Sequence, residues 1–228
     1  MHASDVMTIR VITVAPNTRV PEVARLLLQH RISAVPVVNP EGRVVGIVSE
    51  GDLIRRAETG GERPQSWWLT LMTGSDELAH EYVKSHGMEA ADVMTSDVVS
   101  VRRDTPVGEI ARLIERRRIK RVPVIEDGRL VGIVSRADLL RGLAATTPPG
   151  PAPSADDRII RQQILDTLGS APWATTLFVN VIVTDGIVHL WGWGGSADKR
   201  RAMVVTARAV PGVRAVEEHL ADLPPAAL

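Results

Sequence analysis

The stretch GIVSEGDL at residues 46–53 returns as GIVSRADL at residues 132–139. An internal duplication limits what a chain can fold into more tightly than any bulk property does. Aligning residues 5–38 with 92–125, and 42–53 with 128–139, gives 26 identities over 46 positions. Each copy opens on DVMT and passes through an alternating stretch, VITV or VVSV. It then enters a segment with helical apolar spacing: Val20, Val23, Ala24, Leu27 and Leu28 in the first copy, Val107, Ile110, Ala111 and Ile114 in the second. A strand (AVPVV, RVPVI), a turn (NPEG, EDG), a second strand (RVVGIV, RLVGIV) and a helix starting at the repeated phrase follow. The unit reads β-α-β-β-α.

The copies occupy residues 1–56 and 92–143. Between them, at 57–91, Trp67, Trp68, Leu71, Met72, Leu78 and Tyr82 have roughly helical spacing, which predicts one or two helices packed across the module. Residues 144–155, AATTPPGPAPSA, have the composition of an extended linker. Beyond it, residues 156–223 form a separate unit. DDRIIRQQIL opens a helix with Ile159, Ile160, Ile164, Leu165 and Leu168 on one face, and FVNVIV, the turn TDG and IVHLWGW make a hairpin. SADKRRAMVVTARAV is a second helix and VRAVEEHL a last strand, giving α-β-β-α-β. The fold class is α+β.

Lys plus Arg and Asp plus Glu both number 27, so no global field recruits nucleic acid, and such a partner is not expected. The absence of cysteine removes disulfides, thiolate metal sites and thiol catalysis. MHASDVMTIR lacks a basic region followed by an apolar one, and no window approaches the roughly 20 apolar residues of a membrane span. A cytoplasmic protein is expected. The six histidines show no HExxH or similar spacing, and no GxxxxGK[ST] loop is present. His189 alternates with Ile187 and Trp191 and reads as a packed or solvent-facing ring, not a ligand. Asp52 and Asp138 lie in equivalent repeats, not in an acid/base pair, so neither an enzyme nor a metal protein is expected.

Two readings use the geometry of the repeated phrase. Ser-x-x-Asp after a strand is a capping-box variant, in which Ser49 or Ser135 takes a helix N–H and Asp52 or Asp138 reaches back. The same turn also suits a nucleotide. Gly46 or Gly132 lets another group approach the backbone, the helix N-terminus favours phosphate, and a carboxylate one turn on accepts both hydroxyls of a ribose. Spacing does not separate the two.

The paired DVMT starts, the VPV strands at Val35–Val37 and Val122–Val124, and both GIVS-x-x-DL turns resemble a tandem pair of CBS domains, a Bateman module, over residues 5–142. The resemblance implies two repeats packed about a pseudo-twofold axis, with clefts between them that hold adenosine-containing ligands: AMP, ADP, ATP, NAD or S-adenosylmethionine. It implies Asp52 and Asp138 on ribose, Ser49, Ser135, Thr8 and Thr95 near phosphate, and Ser33, Ala34, Lys120 and Arg121 bordering the ligand. It also implies an antiparallel homodimer. The copies differ in charge: residues 116–121 read RRRIKR where 29–34 read QHRISA. Arg117, Arg118, Lys120 and Arg121 are phosphate candidates in one copy, with His30 and Arg31 as the sparser set in the other. A solvated helix end explains the basic run equally well.

Residues 156–223 resemble a BON domain, through DDRIIRQQIL, VNVIVTDGIVHLWG, SADKRRAM and VPGVRAVEEHL. This bacterial module implies binding to phospholipid or to a protein partner. Trp191 or Trp193 beside Lys199, Arg200 and Arg201 would suit an interfacial anchor, whereas seven basic against eight acidic residues in the unit supply no net pull to anionic lipid. Packing within the hairpin is the competing role for the tryptophans. The whole reads as a regulatory sensor that binds an adenosyl ligand and passes its state to the BON unit or a partner. The alternative is a ligand-free scaffold in which both Ser-x-x-Asp turns only cap helices.

Overall fold

Pro36 and Pro123, the prolines of the two VPV strands, decide how much of each repeat pairs as sheet. In a computed structural model describing residues 1–59, 87–146, 153–174 and 176–222, the alternating stretches expected as first strands each contribute a single parallel bridge, Val14 to Val37 and Val101 to Val124. Val14 N donates to Pro36 O at 3.1 Å and Val14 O accepts from Val38 N at 2.8 Å; Val101 likewise donates to Pro123 O and accepts from Ile125 N. The next rung would need the N–H of the proline, which does not exist.

In chain order the elements are α1 Ala3–Val6, α2 Val20–His30, β1 Ala34–Val38, β2 Val44–Ser49, α3 Glu50–Thr59, α4 Ala90–Val93, α5 Val107–Arg116, β3 Arg121–Glu126, β4 Arg129–Ser135 and α6 Arg136–Ala144. Then follow α7 Ala155–Ser170, a short 3₁₀ turn Thr176–Phe178, β5 Val179–Thr184, β6 Ile187–Trp193, α8 Ala197–Arg208 and β7 Ala215–Ala221. Trp67, Trp68 and the rest of the expected insert helices lie outside the described residues, as do residues 147–152 of the expected linker. Among the described residues no helix is long and apolar enough to cross a membrane.

The compact units cut across the sequence repeats. One holds Ile12–Val99 with Asp127–Leu130; the other holds Met1–Val11, Ser100–Glu126 and everything from Val131 on. In the first, β1 and β2 pair antiparallel, Ala34 opposite Ser49 and Val37 opposite Gly46. Thr95, from the second DVMT, exchanges both backbone hydrogen bonds with Ile47 at 2.9 and 3.0 Å. Val14, Val23, Val35, Val37, Val48, Ala90 and Val93 form its core. α2 ends where Arg31 turns left-handed at φ 50°.

The second unit repeats this plan with the first DVMT. Thr8 exchanges backbone hydrogen bonds with Ile133 of β4, both at 3.0 Å. The glycines of the repeated phrase explain the close crossing. A Cβ on Gly132 would lie 2.6 Å from Met7 Sδ and 3.1 Å from Thr8 O, and one on Gly46 would collide with Met94. The close approach expected at these glycines is thus made by the methionine of DVMT, because that segment must lie flat across the strand to pair with it.

The C-terminal domain sits in the same unit as Thr8. β5 and β6 pair antiparallel through a turn with Asp185 and Gly186 at φ 51° and 70°, the two positive values that an Asp-Gly hairpin turn supplies. β7 adds parallel to β6. One sheet face buries Val181, Val183, Val188 and Leu190 against Ile160, Ile164 and Leu168 of α7 and Met203 of α8. On the opposite face Ile182 enters the core of the second repeat, with Val6, Ile110, Val122, Val124 and Val134, and Trp191 packs against that core. Trp191 therefore packs within the fold, and Arg200 is held by Glu218 at 3.2 Å and by Asp222.

Polar bonds fix this docking. Arg161 of α7, 6% exposed, donates Nε to Val181 O and Nη2 to Met7 O, both at 2.8 Å. Arg158 donates Nε to Asp5 Oδ1 at 2.8 Å. Burial pulls the Arg161 pKa down to about 10, with Asp5 opposing the shift, so the guanidinium stays charged at neutral pH. Removing it strands two buried carbonyls. Arg161→Met is expected to cost about 2–4 kcal/mol of stability in chemical denaturation, whereas Arg201→Met, on an exposed position of α8, should change little.

Candidate functional site

The predicted site residues assemble as two sets, each inside one unit. In the first, β1 begins at Ala34 beside Ser49, and Glu50 N donates to Ser33 O at 3.0 Å. Asp52 Oδ2 accepts from Ser49 N at 2.9 Å and from Ser49 Oγ at 2.6 Å. Thr95 is brought alongside by its bridge to Ile47. His30 and Arg31 end α2, two residues before Ser33.

The second set is built on the same turn. Asp138 is 2% exposed. Its Oδ2 accepts from Ser135 N at 2.8 Å and Ser135 Oγ at 2.6 Å, while Oδ1 accepts from Arg141 Nη1 and from Asn180 Nδ2, each at 2.9 Å. A carboxylate offers about four lone-pair positions, so its acceptor capacity is taken up. Asn180 Nδ2 also donates to Val6 O at 2.7 Å. Both of its partners are acceptors, which sets the orientation of the amide. Thus the strand β5 of the C-terminal domain reaches the carboxylate that the family resemblance assigns to ribose.

Arg117, Arg118 and Lys120 are exposed between α5 and β3, and Arg118 is left-handed at φ 54°. Arg121 opens β3. Arg136, at the start of α6, donates its backbone N–H to Lys120 O at 3.2 Å and Nη2 to Ile119 O at 3.1 Å, tying the basic run to the Ser135 turn. Sequence reasoning missed Arg141, Asn180 and Arg136. Arg141 was within reach, one helical turn after Asp138. Asn180 left a signal too, as the lone amide in the apolar run FVNVIV; its partner belongs to another domain.

Two α+β repeats sharing a Ser-x-x-Asp turn, followed by a small α-β-β-α-β domain, define the class of protein. The CBS domain family model matches residues 3–58 and 90–145, and the BON domain model matches residues 156–221. An uncharacterized protein of Methanocaldococcus jannaschii, MJ1426, is 30% identical over 159 residues, covering 63% of this chain and 91% of that protein. The chloroplastic CBS domain-containing protein CBSX2 of Arabidopsis thaliana is 30% identical over 138 residues, 56% of either chain. The crystal structure of CBSX2 in complex with AMP superposes with a TM-score of 0.54 at 28% identity, covering 63% of this chain and 96% of that one. The chain belongs to the CBS-domain proteins, with a BON domain after the pair.

A third Ser-x-x-Asp, Ser154 to Asp157, caps α7 and also holds the β5–β6 turn. Asp157 Oδ2 accepts from Ser154 N at 2.8 Å and Ser154 Oγ at 3.0 Å at the head of α7, and the carboxylate also takes Asp185 N at 3.1 Å and Gly186 N at 2.8 Å from the hairpin turn. Burial by itself would raise the Asp157 pKa; the hydrogen bonds from Gly186, Ser154 and Asp185 outweigh it and hold the group below its ordinary 3.8. A carboxyl that is more acidic folded than unfolded stabilises above the unfolded value and loses that contribution as pH falls through the folded one. Asp157→Asn is expected to lower Tm at neutral pH and to flatten the loss of stability below about pH 4, read from melting curves across pH.

Proposed function

We propose that this chain is a regulatory, non-catalytic sensor. An adenosyl ligand such as AMP binds at the Ser-x-x-Asp turns, and occupancy of the Asp138 turn sets how the BON domain is held. The observation that carries this reading is the Asn180–Asp138 hydrogen bond. A ribose hydroxyl at Asp138 needs an acceptor position that Asn180 now fills, so ligand and BON strand compete for one oxygen. Such competition is a coupling free energy, and it acts in both directions. Thr8 and the cations Arg117, Arg118, Lys120 and Arg121, beside the Ser135 turn, suit a phosphate. The AMP complex of CBSX2 supports the ligand class. At Asp52, with Thr95, His30 and Arg31 nearby, the same chemistry has fewer cations, so the two turns differ in affinity.

The saturation of Asp138 favours a second reading for that turn, a permanent cap and domain clamp in a ligand-free scaffold. Calorimetric titration with AMP separates them. Saturable binding is expected, with one site lost in Asp52→Ala and the other in Asp138→Ala. Asn180→Ala should tighten the Asp138 site about tenfold, the worth of one displaced hydrogen bond to a charged group. A double Asp variant that binds AMP as tightly as the wild type would sink the assignment. Unchanged affinity in Asn180→Ala would leave sensing intact and remove the coupling.

A further inference from the structure

Strands β6 and β7 run parallel with His189 beside Glu217 and Trp191 beside His219, so the three polar side chains share one edge of the sheet face. Their ligand atoms close a nearly equilateral triangle. His189 Nδ1 lies 3.4 Å from His219 Nε2 and 3.3 Å from Glu217 Oε2, and His219 Nε2 lies 3.5 Å from that oxygen. Hydrogen bonds between such groups run at about 2.7–3.2 Å, so every edge is too long for a good one. Two nitrogens and one oxygen at bond lengths of about 2.05 Å around a tetrahedral ion stand about 3.3 Å apart. The triangle has the dimensions of three corners of that tetrahedron.

From this we infer that His189, Glu217 and His219 form a binding site for a divalent transition-metal ion of the zinc class, with the fourth position open to solvent. Imidazole and carboxylate suit zinc and its neighbours. The side chains grade outward from His189, 9% exposed, through His219 at 30% to Glu217 at 54%, so an ion can enter from the Glu217 side. Trp191 stacks on the His219 ring with centroids 3.8 Å apart and planes 13° from parallel, which holds that ring in place. Burial, against the pull of Glu217, holds the His189 imidazole below the usual histidine range. The ion would staple β7, the last strand, to β6. This site stands apart from the Ser-x-x-Asp turns and does not rest on their ligand.

The test is titration of the full-length protein with Co²⁺ and with Zn²⁺, on wild type, His219→Ala, Glu217→Gln and His189→Gln. Wild type is expected to bind one Co²⁺ with the intense visible ligand-field bands of tetrahedral coordination, and Zn²⁺ should displace it and raise Tm. Loss of a direct ligand in His219→Ala should weaken binding beyond the roughly 10–100-fold that outer-shell partners cost. Glu217→Gln should weaken it in the same direction. His219 and Glu217 are partly exposed, so these variants keep the fold, checked by circular dichroism, even if His189→Gln does not. A wild type without saturable binding, or His219→Ala binding as tightly as wild type, would overturn the site.

Discussion

A buried guanidinium tolerates no missing acceptor, and Arg161 finds its acceptors on two segments far apart in sequence, Met7 and Val181. That requirement joins the first DVMT, the second repeat and the C-terminal domain into one packed body. Asp5 with Arg158, Val6 O with Asn180 and Ile182 in the repeat's core all follow from the same docking. A hydrophobic contact alone would let the sheet slide over the repeat; directional bonds from Arg161 to Met7 O and from Asn180 to Val6 O oppose that.

The duplication is therefore exact in plan and unequal in load. Asp5 and its counterpart Asp92 both accept a backbone N–H at the cap, from His2 and from Glu89, and Asp5 is held by Arg158 as well. Asp138 carries Arg141 and Asn180 on the oxygen that Ser135 leaves open. At the second turn one of these partners, Asn180, comes from a domain outside the duplication. Capping and ligand binding need not exclude each other at such a turn. The cap occupies Oδ2, and what happens at Oδ1 depends on the neighbour.

Much of this was legible beforehand. Apolar spacing marked α2, α5 and α7, and the Asp-Gly turn marked the β5–β6 hairpin, because these signals are local. Ser49, Asp52, Ser135 and Asp138 were legible as capping pairs for the same reason. Each VPV proline hid its effect, since the rung it deletes pairs with a segment some twenty residues earlier. Gly46 and Gly132 announced a close approach without naming Met94 and Met7 as the groups that approach. His189 read as an ordinary strand residue because its neighbours Glu217 and His219 come from a strand that pairs in parallel, beyond an intervening helix.

The sequence by itself determined the longer helices, the hairpins, their order and the duplicated turn, since periodicity, turn residues and caps act over a few residues. The tertiary structure alone decided that each DVMT crosses to the other repeat's hairpin, that Asn180 holds Asp138, and that two histidines and a glutamate converge. Those outcomes depend on which distant backbone and side-chain groups must satisfy one another when buried, and spacing along a chain carries no record of that.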